Sequence, residues 1–455
     1  MFSNNYEELE NYLKKGNKFT YNRKNIFLPI TTNQKQRVTF TNGLLPIIGA
    51  LSRLICEKNV KGITDLNISE NILGNENFDV DLDDEFYANL LVEEYLGKDK
   101  LNILHPKLFL YLPLSEGPES GGEIKIAQFF KNEFFNDIDI KNFFFEDNAK
   151  YNSNILIEFI VNNLKELPGG KDNSEFRIPD SLSSIVNVFK EDIQFILSNH
   201  EEFLVKNLEN ILAYYLFFYF VQFILKSSVN STSTEIEKTF YLLDWETVSK
   251  NRSCVNLGYR RVSNHSKSLL IKIDAMEHLN TLLGTKNLLP SEIVDYYNSF
   301  DGNTKLEFIK CFQSWINYLR FEEKLGKIDL PNDFEELLSI YMQSIGDSYS
   351  INKSRHGTVS RYPIVIEDLG KKYFLKRRGR FGYMFNITQE SLILITALCI
   401  KDEKIKVTQL FEEYERRGLF FDRDSWDKIV ELFNKLNLID KKSDSGDIQY
   451  VKSIL

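Results

Sequence analysis

The chain is poor in the residues and motifs that would make it a self-sufficient enzyme. Its 455 residues include only four cysteines and ten prolines. Cys56, Cys254, Cys311 and Cys399 lie far apart, so neither a disulfide framework nor a zinc site is expected, and they read as reduced thiols of a cytoplasmic protein. There is no G-x-x-x-x-G-K-[ST] loop, and no G-x-G-x-x-G falls between a strand and a helix, which excludes the common phosphate cradles. No cofactor is expected, and any ATPase role would have to come from a partner. G-x-S-x-G, H-E-x-x-H and internal repeats are also missing. The first 15 residues are polar and acidic without an apolar core, so no signal peptide is expected. Scarce proline beside 36 Phe and 22 Tyr argues for a well-packed chain of two or three domains.

Positive charge is also in short supply, and it is concentrated. The formal net charge is -9, yet residues 353–382 hold nine Lys or Arg against only Glu367 and Asp368. The densest part is Lys371-Lys372-Tyr373-Phe374-Leu375-Lys376-Arg377-Arg378-Gly379-Arg380. Such a patch on an acidic chain is the footprint of a polyanion partner, or else a solvated face that keeps a strand soluble. Arg252, Arg260, Arg261 and Lys267 form a second, thinner cluster that reads as solvated surface, with phosphate contact as the alternative. His105, His200, His278 and His356 have no ligand-spaced partners; His356 alone sits in the basic segment, where it could donate to a phosphate.

Downstream of the basic run, residues 388–400 (TQESLILITALCI) are apolar on nearly all sides behind Thr388, a candidate N-cap. Residues 406–419 carry Val407, Leu410, Phe411 and Tyr414 at helical spacing and stop at Gly418. A third helix over 422–438 opens on Asp422 or Asp424 and repeats Trp426, Ile429, Val430, Phe433 and Leu436. The closing residues read as strand, polar turn, strand. Three helices and a hairpin are the order of a winged helix. The exposed positions of the third helix, Arg423, Asp424, Ser425, Asp427, Lys428, Glu431, Asn434 and Lys435, balance three acids against three bases. That suits protein docking at least as well as a major groove walled by phosphates. Candidate contacts to double-stranded DNA are therefore backbone contacts from Arg355, Arg361, Lys371, Lys372, Lys376, Arg377, Arg378 and Arg380, with Lys441 and Lys442 on the wing.

The block RGRFGYMFNITQESLILITALC and the closing KKSDSGDIQYVKSIL resemble the C-terminal end of the DptG family, the DNA phosphorothioation-dependent restriction proteins of bacterial Dnd defence systems. The resemblance covers residues 378–455 and carries no catalytic signature, so it transfers no active-site residue. It implies a complex with two partner subunits, including P-loop-type ATPases, that attacks DNA lacking the phosphorothioate modification.

Towards the N-terminus, residues 6–14 and 49–57 read as helices, 25–30 and 36–40 as strands, and 115–122 (SEGPESGG) as a loop. Asp79, Asp81, Asp83, Asp84 and Glu85 could hold a divalent metal, but they lack EF-hand spacing and read better as an acidic helix start. Two nuclease near-motifs fall short. Glu119, Glu123 and Lys125 resemble an acid-plus-E-x-K pattern, with the acids too close together. His265, Lys267 and Asp274 resemble a phospholipase-D motif with wrong spacing and no second copy. The middle reads as helices over 154–164, 182–197, 200–225, 266–283, 290–300, 305–325 and 333–343, with a polar linker at 226–235. Residues 211–225 (ILAYYLFFYFVQFIL) fall short of the ~20 apolar residues of a membrane span and read as a core helix.

The expectation is a mainly α (α+β) protein: a multi-helical body with a small mixed N-terminal region (1–150), an all-helical middle (151–350), and a basic segment plus winged-helix module (351–455). Its expected role is a non-catalytic subunit contacting DNA backbone and docking ATPase or nuclease partners. A docking scaffold that never touches DNA and a cryptic metal-dependent nuclease are the alternatives.

Overall fold

Long apolar stretches at helical spacing, rarely broken by proline, produce a mainly helical protein with small sheets. The computed structural model describes residues 2–15, 18–21, 27–61, 103–145, 157, 161, 162, 164, 166–228, 235–351, 353–441 and 449–455. The acidic run at 79–85, most of 154–164, most of the 226–235 linker, and the turn after Lys441 lie outside them.

In chain order come α1 (Phe2–Leu13), β1 (Lys14–Lys15), β2 (Lys18–Phe19), α2 (Leu45–Ile55), α3 (Ser120–Phe129), α4 (Lys141–Phe145), α5 (Ser183–Asn199) and α6 (Glu201–Lys226). There follow β3 (Leu242–Leu243), α7 (Ser253–Asn256), α8 (Tyr259–Ser266), α9 (Leu269–Leu283), α10 (Pro290–Asn298), α11 (Gly302–Glu322), α12 (Phe334–Ile351), α13 (Lys353–Arg361) and α14 (Ile364–Tyr373). The last elements are β4 (Leu375–Arg377), β5 (Tyr383–Ile387), α15 (Gln389–Ile400), β6 (Ile405–Lys406), α16 (Val407–Arg416), α17 (Arg423–Lys435), β7 (Ile439–Lys441) and β8 (Gln449–Val451).

Two compact units emerge, and neither follows the three consecutive segments expected from sequence. One comprises Met1–Gln34, Phe176–Ile185 and Leu216–Lys452; the other comprises Lys35–Glu175, Val186–Tyr215 and Ser453–Leu455. Of residues 351–455, all but the last three fall in the first unit.

In the second unit α2 packs against α3, and the buried Arg53 donates to the Leu110 and Leu112 carbonyls at 2.9 and 2.6 Å. Burial pushes its guanidinium down to about 10. Phe189 from α5 stacks edge-on against Phe134, Phe135 and Tyr215.

In the first unit α9 is the hub, buried along nearly its whole length and packed by α1 and α12. Tyr341 ties three helices together: its hydroxyl accepts from Trp315 Nε1 at 2.8 Å and pairs with His278 Nδ1 at 2.5 Å. A three-stranded sheet of order β3-β5-β4 has β3 parallel and β4 antiparallel to β5. The C-terminal part matches the sequence closely. Thr388 caps α15 by accepting from Ser391 N at 3.1 Å, and Asp422 caps α17 by accepting from Ser425 N at 3.2 Å. Gly418 ends α16 at φ +79°. β7 and β8 form the hairpin, and β6 adds on the far side of β8. Residues 239–243 stitch this part to the rest: Thr239 donates to the Gly418 carbonyl at 3.0 Å, Tyr241 N donates to the Phe420 carbonyl at 2.9 Å, and Leu242 and Leu243 pair with β5.

Several local expectations fail. Residues 36–40 form no strand, and the described part of 25–30 forms none either; a 3-10 turn at Gln34–Gln36 is the regular element there. The 115–122 loop ends early, with helix from Ser120. An added Cβ at Gly122 would sit 2.2 Å from the Gln36 carbonyl oxygen, so this glycine permits a close helix approach rather than marking a flexible loop. The basic segment forms α13, α14 and β4. The apolar α6 is the one helix among the described residues long and apolar enough to cross a membrane, and 89% of its most apolar window is buried inside the protein. Its apolar surface already forms core.

Candidate nucleic-acid interface

The ten-residue basic run spans the end of α14, the edge strand β4 and a tight turn into β5. Equal charges along this run acquire unequal roles. Arg377 and Arg380 are exposed and form no ion pair among the described residues; the Arg380 guanidinium lies 5.0 Å from the Phe381 ring. Lys371 and Lys372 are exposed at the end of α14. Lys371 binds Glu367 at 2.5 Å and lies over the Tyr383 ring. Lys376 pairs with Asp244, and that lysine, outweighing burial, holds the Asp244 carboxyl below its ordinary range. Exposed pairs of this kind are worth ~0–1 kcal/mol, so a phosphate can compete for either lysine.

Two arginines of the expected set face inward. Arg378 donates to the carbonyls of Glu246, Leu243 and Asp244 at 3.0, 3.0 and 3.2 Å, and to Asn386 Oδ1 at 2.7 Å. It closes the β3–β5 region from one side, with both terminal nitrogens engaged by the protein itself. Arg355 binds Glu323 at 2.7 and 2.8 Å and covers the Tyr21 ring. Both are structural arginines. Arg378→Ala should lower unfolding stability by about 2–3 kcal/mol, the scale for stranding partly buried acceptors; a denaturant titration checks it, and a loss under 0.5 kcal/mol would return Arg378 to the surface set. Arg361 is exposed at the end of α13, Lys441 ends β7, and Lys442 lies outside the described residues.

The structure also adds to this face a residue of the second, thinner basic cluster. Arg260, exposed at the start of α8, lines the same cleft of about 510 Å³ as Arg380, together with Asn264, Phe381 and Tyr383. Glu367 is the acid on its wall, and it already binds Lys371. Arg260 stood in the thinner basic cluster read as solvated surface, and nothing local shows that it meets Arg380. Its neighbours have other work: Arg261 binds Glu237 at 2.7 Å, and Arg252 is buried.

Arg252 bears on α17. It binds Asp422 at 2.5 and 2.9 Å and Ser425 Oγ at 2.6 Å; Ser425 in turn donates to Glu246 at 2.9 Å. Residues 245–249 line a cleft of about 460 Å³ with Asp424, Asp427 and Lys428. A groove-reading helix leads with its N-terminal residues; here that end is acidic and faces the protein's own loop.

Neither nuclease near-motif assembles. Glu119 accepts from Thr39 N, and Glu123 accepts from Ser115 N at 2.9 Å. Glu123 and Lys125, two residues apart on α3, point to different sides of the helix. Asp274 is buried, accepting from Tyr349 at 2.7 Å. Among the described residues no group of three or more His, Cys, Asp or Glu is arranged to hold a metal ion. No protein-family model matches this chain, and no curated protein sequence matches it.

Proposed function

We propose that the chain is a non-catalytic, DNA-contacting subunit that holds duplex backbone phosphates against Arg260, Arg377 and Arg380, with Lys371 and Lys372 alongside. The observation that carries this reading is the meeting of Arg260 and Arg380 in one cleft from distant parts of the sequence, neither with an acidic partner of its own among the described residues. Two unpaired guanidiniums on one wall are costly in mutual repulsion and are relieved by a polyanion. The C-terminal part is taken as a winged helix used by its hairpin and flank, not by α17. Its setting, a phosphorothioation-dependent restriction complex in the cytoplasm with ATPase and nuclease partners, rests on the resemblance of residues 378–455.

The test is binding of the full chain to a labelled duplex across a salt series, beside a variant with Arg260, Arg377 and Arg380 all changed to Ala. Removal of three phosphate contacts should make the slope of log K against log salt shallower by about 2–3. Equal slopes, or no binding by either protein, would sink DNA capture at this face. The second reading, a docking scaffold that does not touch DNA, would then take over; the acidic, loop-covered start of α17 favours it.

A further inference from the structure

A cavity of about 390 Å³ adjoins the arginine cleft along α8, sharing Tyr259, Ser263 and Glu367 with it. Its volume falls within the range of sites that take small organic ligands. Three features of its wall define what fits. Lys267 and His356, both exposed, are among its lining residues; Lys267 donates to the neutral Asn264 Oδ1 at 3.0 Å, with no carboxylate partner among the described residues, and the lining acid Glu367 is taken by Lys371. Aliphatic side chains, among them Ile224, Val262, Ile271 and Ile366, make up the opposing surface. Ser266 and Ser350 donate to their own helix carbonyls, which leaves hydroxyl lone pairs to receive hydrogen bonds.

Gly346 adds an independent sign. It sits inside α12, where a glycine weakens the helix relative to alanine. Neither a left-handed backbone nor a close neighbour requires it: an added Cβ would meet only Ile271 Cδ1, at an ordinary 3.5 Å. What the missing side chain does is keep the cavity open.

We infer that this cavity binds one nucleotide unit, its phosphate on Lys267 and His356, its base against the aliphatic wall, and its sugar hydroxyls or base amino groups donating to the serines. An anionic end excludes a purely apolar ligand, and the aliphatic wall gives a bare phosphate nothing to bury. The unit has two possible sources, a free mononucleotide or the 5′-phosphorylated end of a DNA strand reaching along α8.

The test is calorimetric titration of the full chain with deoxyadenosine 5′-monophosphate, inorganic phosphate, and a short oligonucleotide with and without a 5′-phosphate. Binding of the mononucleotide is expected, weakened about tenfold or more by Lys267→Ala and abolished by Gly346→Leu, which fills the cavity and should not lower the melting temperature. Should only the 5′-phosphorylated oligonucleotide bind, with the same response to both variants, the strand end is the source. Inorganic phosphate binding as tightly as the nucleotide overturns the inference, as does unchanged nucleotide affinity in both variants, or no binding by mononucleotide or oligonucleotide. Lys267→Ala keeps the test decisive if Gly346→Leu folds poorly. The triple arginine variant should bind mononucleotide like wild type, so failure of duplex capture and failure of this site read out separately.

Discussion

Arg252→Ala is expected to cost about 3–5 kcal/mol of unfolding stability, because it removes the buried cation that binds Asp422 and Glu246. Arg252 is itself 7% exposed and sits between Asp422, Glu246 and Ser425. Without it the Asp422 and Glu246 carboxylates lose the guanidinium that both of them bind. Urea unfolding at neutral pH measures the loss. A double variant, Arg252→Leu with Asp422→Asn, should recover part of it, since asparagine still caps α17 and one stranded charge is gone. A double variant no better than the sum of the singles would show that the charges do not interact.

The same cluster sets an acid response. Burial alone would raise the Asp422 carboxyl, but the hydrogen bonds from Arg252 and Ser425 outweigh it and hold the group below its ordinary 3.8. A carboxylate lowered in the folded state binds its proton more readily when unfolded, so its contribution is complete above the ordinary value and is lost as pH falls through the folded one. Wild-type stability should therefore drop more steeply with acid than that of Arg252→Ala. Parallel acid limbs in thermal melts would remove Asp422 from the account.

Gly418→Ala should be the other severe change, by about 2–5 kcal/mol. Gly418 follows α16 at φ +79°; its N–H bonds the Glu415 carbonyl and that of Leu419 bonds the Tyr414 carbonyl, both at 2.9 Å. This helix stop needs the left-handed backbone, where alanine costs ~1–2 kcal/mol. Space is the larger difficulty, since the added Cβ would fall 2.2 Å from Phe218 Cε2, on a rigid ring inside the core. Overpacking of that kind adds ~1–3 kcal/mol. Gly284, which ends α9 at φ +72°, is the control: its added Cβ would approach only the Asn5 side-chain amide, at 3.2 Å. Gly284→Ala should cost the strain alone. Equal losses from the two variants in denaturant titrations would leave Phe218 no part in the effect.

Those two glycines also mark what sequence can and cannot tell. Gly418, Thr388 and Asp422 were legible because capping and helix arrest act within four residues of one another. The helical middle was legible through its apolar spacing. The helix at Ser120 was not, since its glycines look like loop and reveal themselves only when the Gln36 carbonyl lies against them. β3 is two residues long and pairs with Asn386 and Ile387, too short and too distant a partnership for any local pattern to announce. The interface shows the same limit. A run of arginines advertises charge, but whether Arg377 meets solvent while Arg378 binds carbonyls depends on where residues 243–246 lie. Arg260 joins Arg380 only through folding, and Arg252 looked like one more surface cation.

The stitch at residues 239–243 governs how the chain can be made. Thr239 leaves the ribosome 179 residues before the glycine whose carbonyl it binds. At ~5–20 residues per second of synthesis, that interval is on the order of ten seconds or more. Tyr241, Leu242 and Leu243, all buried in the finished protein, have nothing to pair with in the meantime. A nascent chain of this kind is a natural client for a holding chaperone. A premature stop near residue 370 should yield not a smaller soluble protein but an aggregate, with an apolar strand waiting for a sheet that never arrives.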